Sequence, residues 1–227
     1  MANTFFVTGT DTDVGKTVIT TGLLAAFNAR GLSTAAIKPV AAGCEQAADG
    51  LRNDDALRLQ RAMSLPLHYD EINPIALAPA IAPHIAAEQA GRRIQLAQLV
   101  GLCRGVLMRR ADVTLIEGAG GWRVPLNARE FLSGLAVELR LPVIMVVGMR
   151  LGCISHALLT AEAIARDGLT LAGWVANRCV ADMACYAENV ATIRSNLRAP
   201  LLGEVPHLPG AAPAMIASHL DCAPLVG

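Results

Sequence analysis

The segment Gly9–Thr17 constrains the fold of this chain more than any other. It reads Gly-Thr-Asp-Thr-Asp-Val-Gly-Lys-Thr and lies between a strand-like run that ends at Thr8 and a helical pattern that begins at Lys16. A glycine-containing turn in this position points backbone N–H groups at phosphate oxygens, and the helix N-terminus adds the positive end of its dipole. We therefore predict a phosphate-binding loop in which Lys16 reaches the β- and γ-phosphates and the Thr17 hydroxyl binds Mg²⁺.

The loop departs slightly from the strict Gly-x4-Gly-Lys-Thr pattern. That pattern places glycine at position 10, but this chain has Thr10 there and glycine at position 9. An ordinary strand–helix turn is the alternative, and the strand–loop–helix context favours the nucleotide site. A phosphate loop alone does not say how the nucleotide is used, because GTPase switches, partitioning ATPases, kinases and ligases all contain one.

Short apolar runs alternate with helical patterns along the rest of the chain. The strand candidates are Thr4–Thr8, Thr34–Val40, Val113–Glu117, Val143–Val147, Leu169–Asn177 and Leu201–Val205. The helical patterns are Lys16–Arg30, Asp54–Met63, Leu96–Leu107, Phe131–Leu139, Ser155–Asp167 and Ala184–Leu197. Because most of the runs are continuously apolar, we predict an α/β fold of the P-loop NTPase type: three layers, with helices on both faces of a mainly parallel sheet. The proline-rich span 66–83 is expected to be a surface loop near the carboxyl ends of the strands.

Composition and charge exclude several classes of protein. Lys+Arg and Asp+Glu both number 19, so the chain lacks the basic excess of proteins that hold nucleic acid or anionic membranes through a broad face. Apolar runs such as Leu141–Val147 are far shorter than the roughly 20 residues that cross a bilayer. The six cysteines include no Cys-x-x-Cys pair, and the N-terminus has no basic segment of a secretory signal. We expect one cytoplasmic domain, residues 1–227, with no nucleic-acid or membrane partner.

Lys38 follows the second strand candidate and is the first candidate residue outside the loop. Pro39 comes directly after it and favours an extended conformation for Lys38, which would direct its ammonium group. A lysine at a strand end is usually a solvated surface residue. Beside a phosphate loop, however, Lys38 and Lys16 would converge on one transferring phosphoryl group.

Two acidic segments are candidates for a Mg²⁺ site. Glu117 ends a very apolar strand and precedes Gly-Ala-Gly-Gly, where a carboxylate of the Walker-B type would bind the ion; the alternative is a plain strand-ending turn. Asp54 and Asp55 precede a helical pattern. Asp54 has the common role of a helix N-cap as its alternative, and Asp55 is the better candidate for Mg²⁺.

The segment 151–156 reads Leu-Gly-Cys-Ile-Ser-His, follows a strand candidate and enters a helix. Its N–H groups are candidates for binding an anion such as a carboxylate. A helix start capped by Ser155 is an equally good interpretation of the residues alone.

Taken together, these stretches resemble the dethiobiotin synthetase family of biotin synthesis. The matching stretches are Val7–Thr17, Lys38–Val40, Gly50–Ala56, Pro83–Ile85, Glu117–Trp122, Leu151–Ile154 and Ala172–Asn177. The likeness runs from residue 4 to about residue 208, in the order of the family, and we do not extend it to residues 209–227.

The resemblance implies a definite reaction. CO2 carbamylates one amine of 7,8-diaminopelargonic acid, and the carbamate oxygen attacks the γ-phosphate of ATP to give a carbamic–phosphoric anhydride. The second amine then closes the ureido ring and releases phosphate. Mg²⁺ is the implied cofactor, and the family enzyme is a homodimer that holds the carboxylate tail of the substrate near the subunit interface.

The resemblance also implies roles for individual residues. The catalytic residues are Lys16 and Lys38, which would stabilise the carbamate and the γ-phosphoryl group. The Mg²⁺ ligands are Thr17, Asp55 and Glu117. The ATP-binding residues are Asp13, Val14, Gly15, Lys16, Thr17, Val18, Asp55, Glu117, Gly118, Ala119, Gly120, Asn177, Arg178, Pro206 and His207, with Asn177 at the adenine edge. The substrate-binding residues are Thr12, Lys38, Ala42, Gly118, Gly152, Cys153, Ile154 and Ser155.

The chain departs from the family pattern at a few positions, and other functions compete. Ala42 replaces a serine, Asp13 replaces a common glutamate, and Asn189 stands where some members have a tyrosine. The main alternative is a regulatory P-loop ATPase of the partitioning or positioning type, which would need a membrane or DNA contact. A cobalamin-type amidoligase would normally carry a glutamine amidotransferase domain, for which this chain has no room.

Overall fold

The computed structural model describes residues 3–226, in which strands and helices alternate along most of the chain. The strands are β1 Asn3–Gly9, β2 Thr34–Ile37, β3 Val40–Ala42, β4 Glu45–Ala47, β5 Gly50–Arg52, β6 Ile75–Leu77, β7 Val113–Glu117, β8 Val143–Met149, β9 Leu171–Arg178 and β10 Leu201–Val205. The helices are α1 Lys16–Ala29, α2 Asp54–Ala62, α3 Tyr69–Ile72, α4 Pro83–Gln89, α5 Leu96–Leu107, α6 Ser133–Leu139, α7 Cys153–Arg166, α8 Tyr186–Asn196 and α9 Pro213–Ala217. A 3-10 helix, Ala223–Leu225, follows α9.

A six-stranded parallel sheet forms the centre of the fold, in the order β10-β9-β8-β1-β7-β2. The chain crosses from β1 toward one edge to reach β2, whereas β7, β8, β9 and β10 follow one another toward the other edge. Because right-handed crossovers in opposite directions place their helices on opposite faces, α1 lies on one face and α6, α7 and α8 on the other. The predicted three-layer α/β fold is therefore confirmed.

The middle of the sheet is fully buried, which explains its continuous apolar runs. Every residue of β7 and β8 is buried, and both strands pair with β1. At the carboxyl edge of the sheet, the register places Val7 of β1 beside Glu117 and Ile37 of β2 beside Ile116. Residues that directly follow β1, β2 and β7 therefore start from neighbouring positions.

The prediction of one continuous strand over Thr34–Val40 is wrong. The central strand ends at Ile37, and Val40 begins β3, which pairs with β6 in a separate two-stranded sheet. Pro39 has no N–H for a sheet ladder, and the N–H of Lys38 donates instead to the carbonyl oxygen of Ile72 at 2.8 Å. The chain leaves the central sheet where this proline stands.

The proline-rich span 66–83 is only partly the surface loop that the sequence predicts. It contains α3 and β6, and Tyr69, Ile72, Ile75 and Leu77 are all buried. Strand β6 pairs in parallel with β3, and this pairing brings the span into the core. Only its end, residues 80–83, lines the functional site as expected.

Two residues that the sequence offers as helix N-caps do not have this role in the structure. Helix α2 is capped by Asn53, whose side chain accepts from the N–H of Ala56 at 3.3 Å, so Asp54 is not the N-cap. Helix α7 begins at Cys153, with Gly152 as its N-cap in a left-handed conformation. Ser155 therefore lies inside the first turn of α7 and does not cap it.

The C-terminal segment, for which we make no prediction from the sequence, packs on α1 and on the β10 edge of the sheet. Ile216 of α9 lies beside Gly22 of α1, and the N–H of Asp221 donates to the carbonyl oxygen of Leu202 at 2.6 Å. This segment covers an otherwise unpaired edge strand. Within residues 3–226, every helix is too short or too polar to cross a membrane.

Candidate active site

The phosphate loop connects β1 to α1 in a conformation that needs glycine at its last position. Gly15 is the N-cap of α1 and has a φ of 84°, in the left-handed region. A Cβ atom there would lie 2.2 Å from Nδ2 of Asn177. That same nitrogen donates to the carbonyl oxygen of Val14 at 2.8 Å, so the end of β9 holds the loop against α1.

Lys16 is buried at the start of α1 and turns back over its own loop. Its Nζ donates to the carbonyl oxygen of Asp11 at 3.1 Å. Burial, together with the nearby charge of Lys38, lowers the pKa of Lys16 to about 8. The Lys16 ammonium thus has few hydrogen-bond acceptors in the structure, as expected for a cation that binds an anionic ligand.

Lys38 is the centre of a buried charge cluster. Its Nζ lies 2.7 Å from Oε1 of Glu117, 3.0 Å from Oδ2 of Asp55 and 3.2 Å from the carbonyl oxygen of Gly118. Burial alone would lower the pKa of Lys38, but the carboxylates of Glu117 and Asp55 outweigh it and raise that pKa. The Lys38 side chain therefore stays charged, with all three of its N–H donors in use.

Glu117 joins this cluster to the phosphate loop. Its Oε1 also accepts from the Thr17 hydroxyl at 2.8 Å, and its Oε2 is buried without a hydrogen-bond partner among the described residues. The pKa of Asp55 is lowered, because Lys38 and the Thr17 hydroxyl outweigh its burial. Two carboxylates, one of which has this unsatisfied buried oxygen, and a neighbouring hydroxyl fit Mg²⁺, which prefers oxygen ligands. Residues 3–226 contain no group of three His, Cys, Asp or Glu side chains arranged to hold a metal.

A cavity of about 830 Å³ opens above these residues. The predicted site residues that line it are Thr12, Asp13, Gly15, Lys16, Thr17, Val18, Lys38, Ala42, Asp55, Ala119 and Gly120. The site residues predicted by name do not include the other lining residues, which are Ala41, Asn53, Arg58, Ala80, Ile81, Ala82, Pro83, Arg123, Val124 and Pro125. Proximity in sequence to Asp55 was the available signal for Arg58, and the proline-rich span was the signal for 80–83.

Arg123 is fixed by a carboxylate. Its Nη1 and Nη2 donate to the two oxygens of Asp167 at 2.7 and 2.8 Å, and Nε1 of Trp122 donates to Oδ2 at 2.9 Å. Although partial burial opposes it, the hydrogen bonds from Arg123 and Trp122 lower the pKa of Asp167. The loop after β7 is thereby attached to the end of α7.

The residues predicted for the adenine end lie at the carboxyl ends of β9 and β10, outside the cavity wall. The guanidinium of Arg178 stacks on the ring of Tyr186, 3.7 Å from its centroid. The Nδ1 atom of His207 lies 3.4 Å from the carbonyl oxygen of Arg178, next to Pro206. These residues and Asn177 form one group beside the loop.

The predicted substrate-tail residues Gly152, Cys153, Ile154 and Ser155 do not line the cavity in this chain. They form the start of α7, beside Leu151, which is 98% exposed. Asn189 of α8 lies against this helix start, with its Oδ1 3.7 Å from Sγ of Cys153. An ion pair between Arg150 and Asp11 connects the segment before α7 to the phosphate loop.

The chain matches a family model and several curated proteins. The model, described as an AAA domain, matches residues 3–214. ATP-dependent dethiobiotin synthetase BioD of Cellvibrio japonicus is 59% identical over 222 residues, which cover 98% of this chain and 97% of that protein. The proteins of the same name from Pseudomonas aeruginosa and Marinobacter nauticus are 60% and 52% identical, with at least 97% of each chain covered.

Solved structures with the same fold are much more distant in sequence. A ParA family ATPase from Chlorobium tepidum has a TM-score of 0.55 at 13% identity, with 97% of this chain and 91% of that chain covered. The MinD cell division protein of Aquifex aeolicus has a TM-score of 0.56 at 16% identity, with 92% and 83% covered. These likenesses show the fold alone. The identity of 52–60% to synthetases over nearly the whole length shows more: the chain belongs to the dethiobiotin synthetase family.

Proposed function

We propose that this chain is a ligase that forms dethiobiotin from 7,8-diaminopelargonic acid, CO2 and ATP. The proposal rests on the convergence of Lys38 and Asp55 at the wall of one cavity with Glu117 directly behind them, in a chain about 60% identical to dethiobiotin synthetases. A cavity of about 830 Å³ has room for more than the phosphates of a nucleotide.

Lys38 is the proposed binding residue for the carbamate. CO2 adds to one amine of the substrate, and that nitrogen loses a proton as the carbamate anion forms. The raised pKa of Lys38 keeps its ammonium charged at the cavity wall, where it can accept the carbamate in place of one of its present acceptors. Ala42, which lines the same wall, offers a methyl group where a serine would offer a hydroxyl.

Lys16 is the proposed partner of the γ-phosphoryl group. As the carbamate oxygen attacks phosphorus, the bond to the β,γ-bridging oxygen of ATP breaks and ADP leaves. Negative charge then develops on oxygens near Lys16, whose ammonium is held over the loop by the Asp11 carbonyl. A cation placed in advance stabilises this charge without the cost of reorganising water.

Thr17, Asp55 and Glu117 are the proposed ligands of Mg²⁺, with the unpartnered Oε2 of Glu117 supporting the assignment. When bound, the ion neutralises part of the charge on the nucleotide phosphates. Ring closure follows at the anhydride: the second amine attacks the carbonyl carbon, the carbon–oxygen bond breaks, phosphate leaves, and the amine loses its proton.

The remaining roles are proposals of the same kind. Asn177, Arg178, Pro206 and His207 would surround the adenine, with the loop residues Asp13–Val18 and the segment Gly118–Gly120 along the nucleotide. Gly152–Ser155 lie outside the cavity of this chain, so they would reach a substrate tail only from a second subunit of a homodimer. We also propose a cytoplasmic enzyme with one P-loop domain.

A regulatory ATPase of the partitioning or positioning type is not favoured, since the fold neighbours of that type are only 13–16% identical. The deciding experiment mixes the protein with ATP, Mg²⁺, bicarbonate and the diamine. We expect phosphate release that depends on the diamine, with one dethiobiotin detected by mass spectrometry per phosphate. ATP hydrolysis that ignores the diamine would contradict the proposal.

A further inference from the structure

The basic side chains that line the cavity differ in how much of their hydrogen-bonding capacity is free. They are Lys16, Lys38, Arg58 and Arg123, against the acidic Asp13 and Asp55. Lys38 already has three acceptors, and the guanidinium of Arg123 is held by both oxygens of Asp167. Lys16 makes one hydrogen bond, to its own loop.

Arg58 has most of its donors free. Its nearest carboxylate is that of Asp54, at 4.0 Å, which is longer than a hydrogen bond. The Arg58 side chain is 39% exposed and that of Asp54 is 80% exposed, so water screens this pair strongly. The guanidinium is therefore a cation at the cavity without a committed partner among the described residues.

The position of Arg58 on α2 places it next to the phosphoryl-transfer site. It follows Asp55 by three residues, so the two side chains lie on the same face of the helix. Asp55 contacts Lys38, which in turn contacts Glu117. A guanidinium beside this cluster matches a phosphoryl group in shape and charge, because its planar fork can donate two parallel hydrogen bonds.

We propose that Arg58 binds the phosphoryl group during its transfer from ATP to the carbamate and then holds the inorganic phosphate product. The inference rests on the proposed function, of which it names one further residue. Lys16 would bind the phosphoryl group from the nucleotide side of the cavity, and Arg58 from the α2 side.

The first test measures binding without turnover. The Kd of inorganic phosphate is determined by calorimetry on the protein saturated with ADP and Mg²⁺, for wild type, Arg58→Gln and Arg61→Gln. Arg61 is the matched control, because it is an exposed arginine of the same helix that does not line the cavity. We expect the Kd to rise about tenfold or more in Arg58→Gln, the scale of a lost charged hydrogen bond, and to stay unchanged in Arg61→Gln.

The affinity for ADP serves as the folding control in each variant, since it reports an intact phosphate loop. Arg58→Lys keeps the charge but loses the fork, and we expect a Kd for phosphate between those of wild type and Arg58→Gln. An Arg58→Gln variant that binds both ADP and phosphate as wild type does would overturn the inference. The phosphate-binding measurement tests Arg58 whether or not the protein forms dethiobiotin. Failure to form dethiobiotin would refute the proposed function separately.

A second test separates the phosphoryl group from the carboxylate tail of the substrate as the anion that Arg58 binds. We expect Arg58→Gln to lower kcat about tenfold or more while leaving the KM of the diamine within twofold. The assay is repeated with 2,3-diaminononane, the same diamine with a methyl group in place of the carboxylate. A defect of equal size with this analogue supports the inference, and a defect that disappears with it would assign Arg58 to the tail and overturn it.

Discussion

The Nζ atom of Lys38 lies 2.7 Å from Oε1 of Glu117, although the two residues are 79 positions apart in the sequence. The register of two neighbouring strands explains this contact. Ile37 of β2 pairs with Ile116 of β7, so Lys38, which directly follows β2, and Glu117, the last residue of β7, lie at the same level. The sheet thus aligns a cation and an anion beneath the cavity.

The Lys38–Glu117 pair predicts a strong effect on stability. Glu117→Gln removes a fully buried charge partner and leaves Asp55 as the one carboxylate in contact with the Lys38 ammonium, so we expect a loss of about 3–5 kcal/mol in the free energy of unfolding. The measurement is urea unfolding. In Lys38→Met/Glu117→Gln we expect less destabilisation than the sum of the single variants, by about 1 kcal/mol or more. Strict additivity of the two changes would show that the pair is not energetically coupled.

Substitution of Lys16 is expected to reduce catalysis strongly and to change the stability of the fold little. Lys16→Gln removes one cation that is already in place for the charge of phosphoryl transfer, so we expect kcat to fall about 10²–10³-fold. The rate of dethiobiotin formation is compared with that of Arg61→Gln, while circular dichroism and thermal unfolding report the fold. Near-normal turnover in Lys16→Gln would remove this residue from the mechanism.

A side chain at position 15 is expected to weaken nucleotide binding through a steric clash, in addition to the strain of a positive φ. In Gly15→Ala the new methyl group meets Asn177 at 2.2 Å, so we expect the phosphate loop to shift and the Kd of ATP to rise tenfold or more. Gly31→Ala is the control, because Gly31 also has a positive φ, of 78°, but nothing lies within 4 Å of its Cβ position. That control should cost about 1–2 kcal/mol of stability and leave ATP affinity unchanged. Equal ATP affinity in both variants would disprove the steric explanation.

The lowered pKa of Asp167 predicts that this residue stabilises the folded state near neutral pH and that the stabilisation is lost at acidic pH. Its folded-state pKa is below the ordinary value of 3.8, mainly because Arg123 and Trp122 outweigh the effect of partial burial. The folded state therefore releases this proton more readily than the unfolded state. The stabilisation is complete above about pH 4 and is lost as the pH falls through the lowered pKa.

Asp167→Asn should therefore cost about 1 kcal/mol at pH 7 and progressively less below pH 4. The test is urea unfolding of both proteins between pH 3 and pH 7, with Glu162→Gln, an exposed carboxylate of α7, as the control. A difference between wild type and Asp167→Asn that stays constant over this range would contradict the assignment.

Much of the central sheet follows from the sequence because its strands are buried on both faces. Strands β7 and β10 have their predicted bounds, and the apolar stripe of Leu96–Leu107 gives α5 its predicted bounds. The span 66–83 could not be assigned in this way. Its strand β6 is only three residues long and is defined by pairing with β3, a contact between distant segments that no local pattern encodes.

The candidate site residues that belong to a sequence motif could be predicted. Those that reach the site only through the tertiary fold could not. The residues of the phosphate loop, Lys38 and Asp55 line one cavity, and Glu117 lies directly behind them. Arg58 belongs to no motif, and only the packing of α2 brings it to the cavity. Asn53 and Asp54 illustrate the same limit, since either residue type is a good N-cap and the structure selects Asn53.

In the proposed reaction, one cavity brings the carbamate oxygen and the γ-phosphate together. The most direct test supplies ¹⁸O-labelled CO2, ATP, Mg²⁺ and 7,8-diaminopelargonic acid, and analyses the released phosphate by mass spectrometry at early times. If the carbamate oxygen attacks the γ-phosphate and leaves with it on ring closure, each phosphate carries one ¹⁸O from CO2. Dethiobiotin formed together with unlabelled phosphate would contradict attack of the carbamate oxygen on the γ-phosphate.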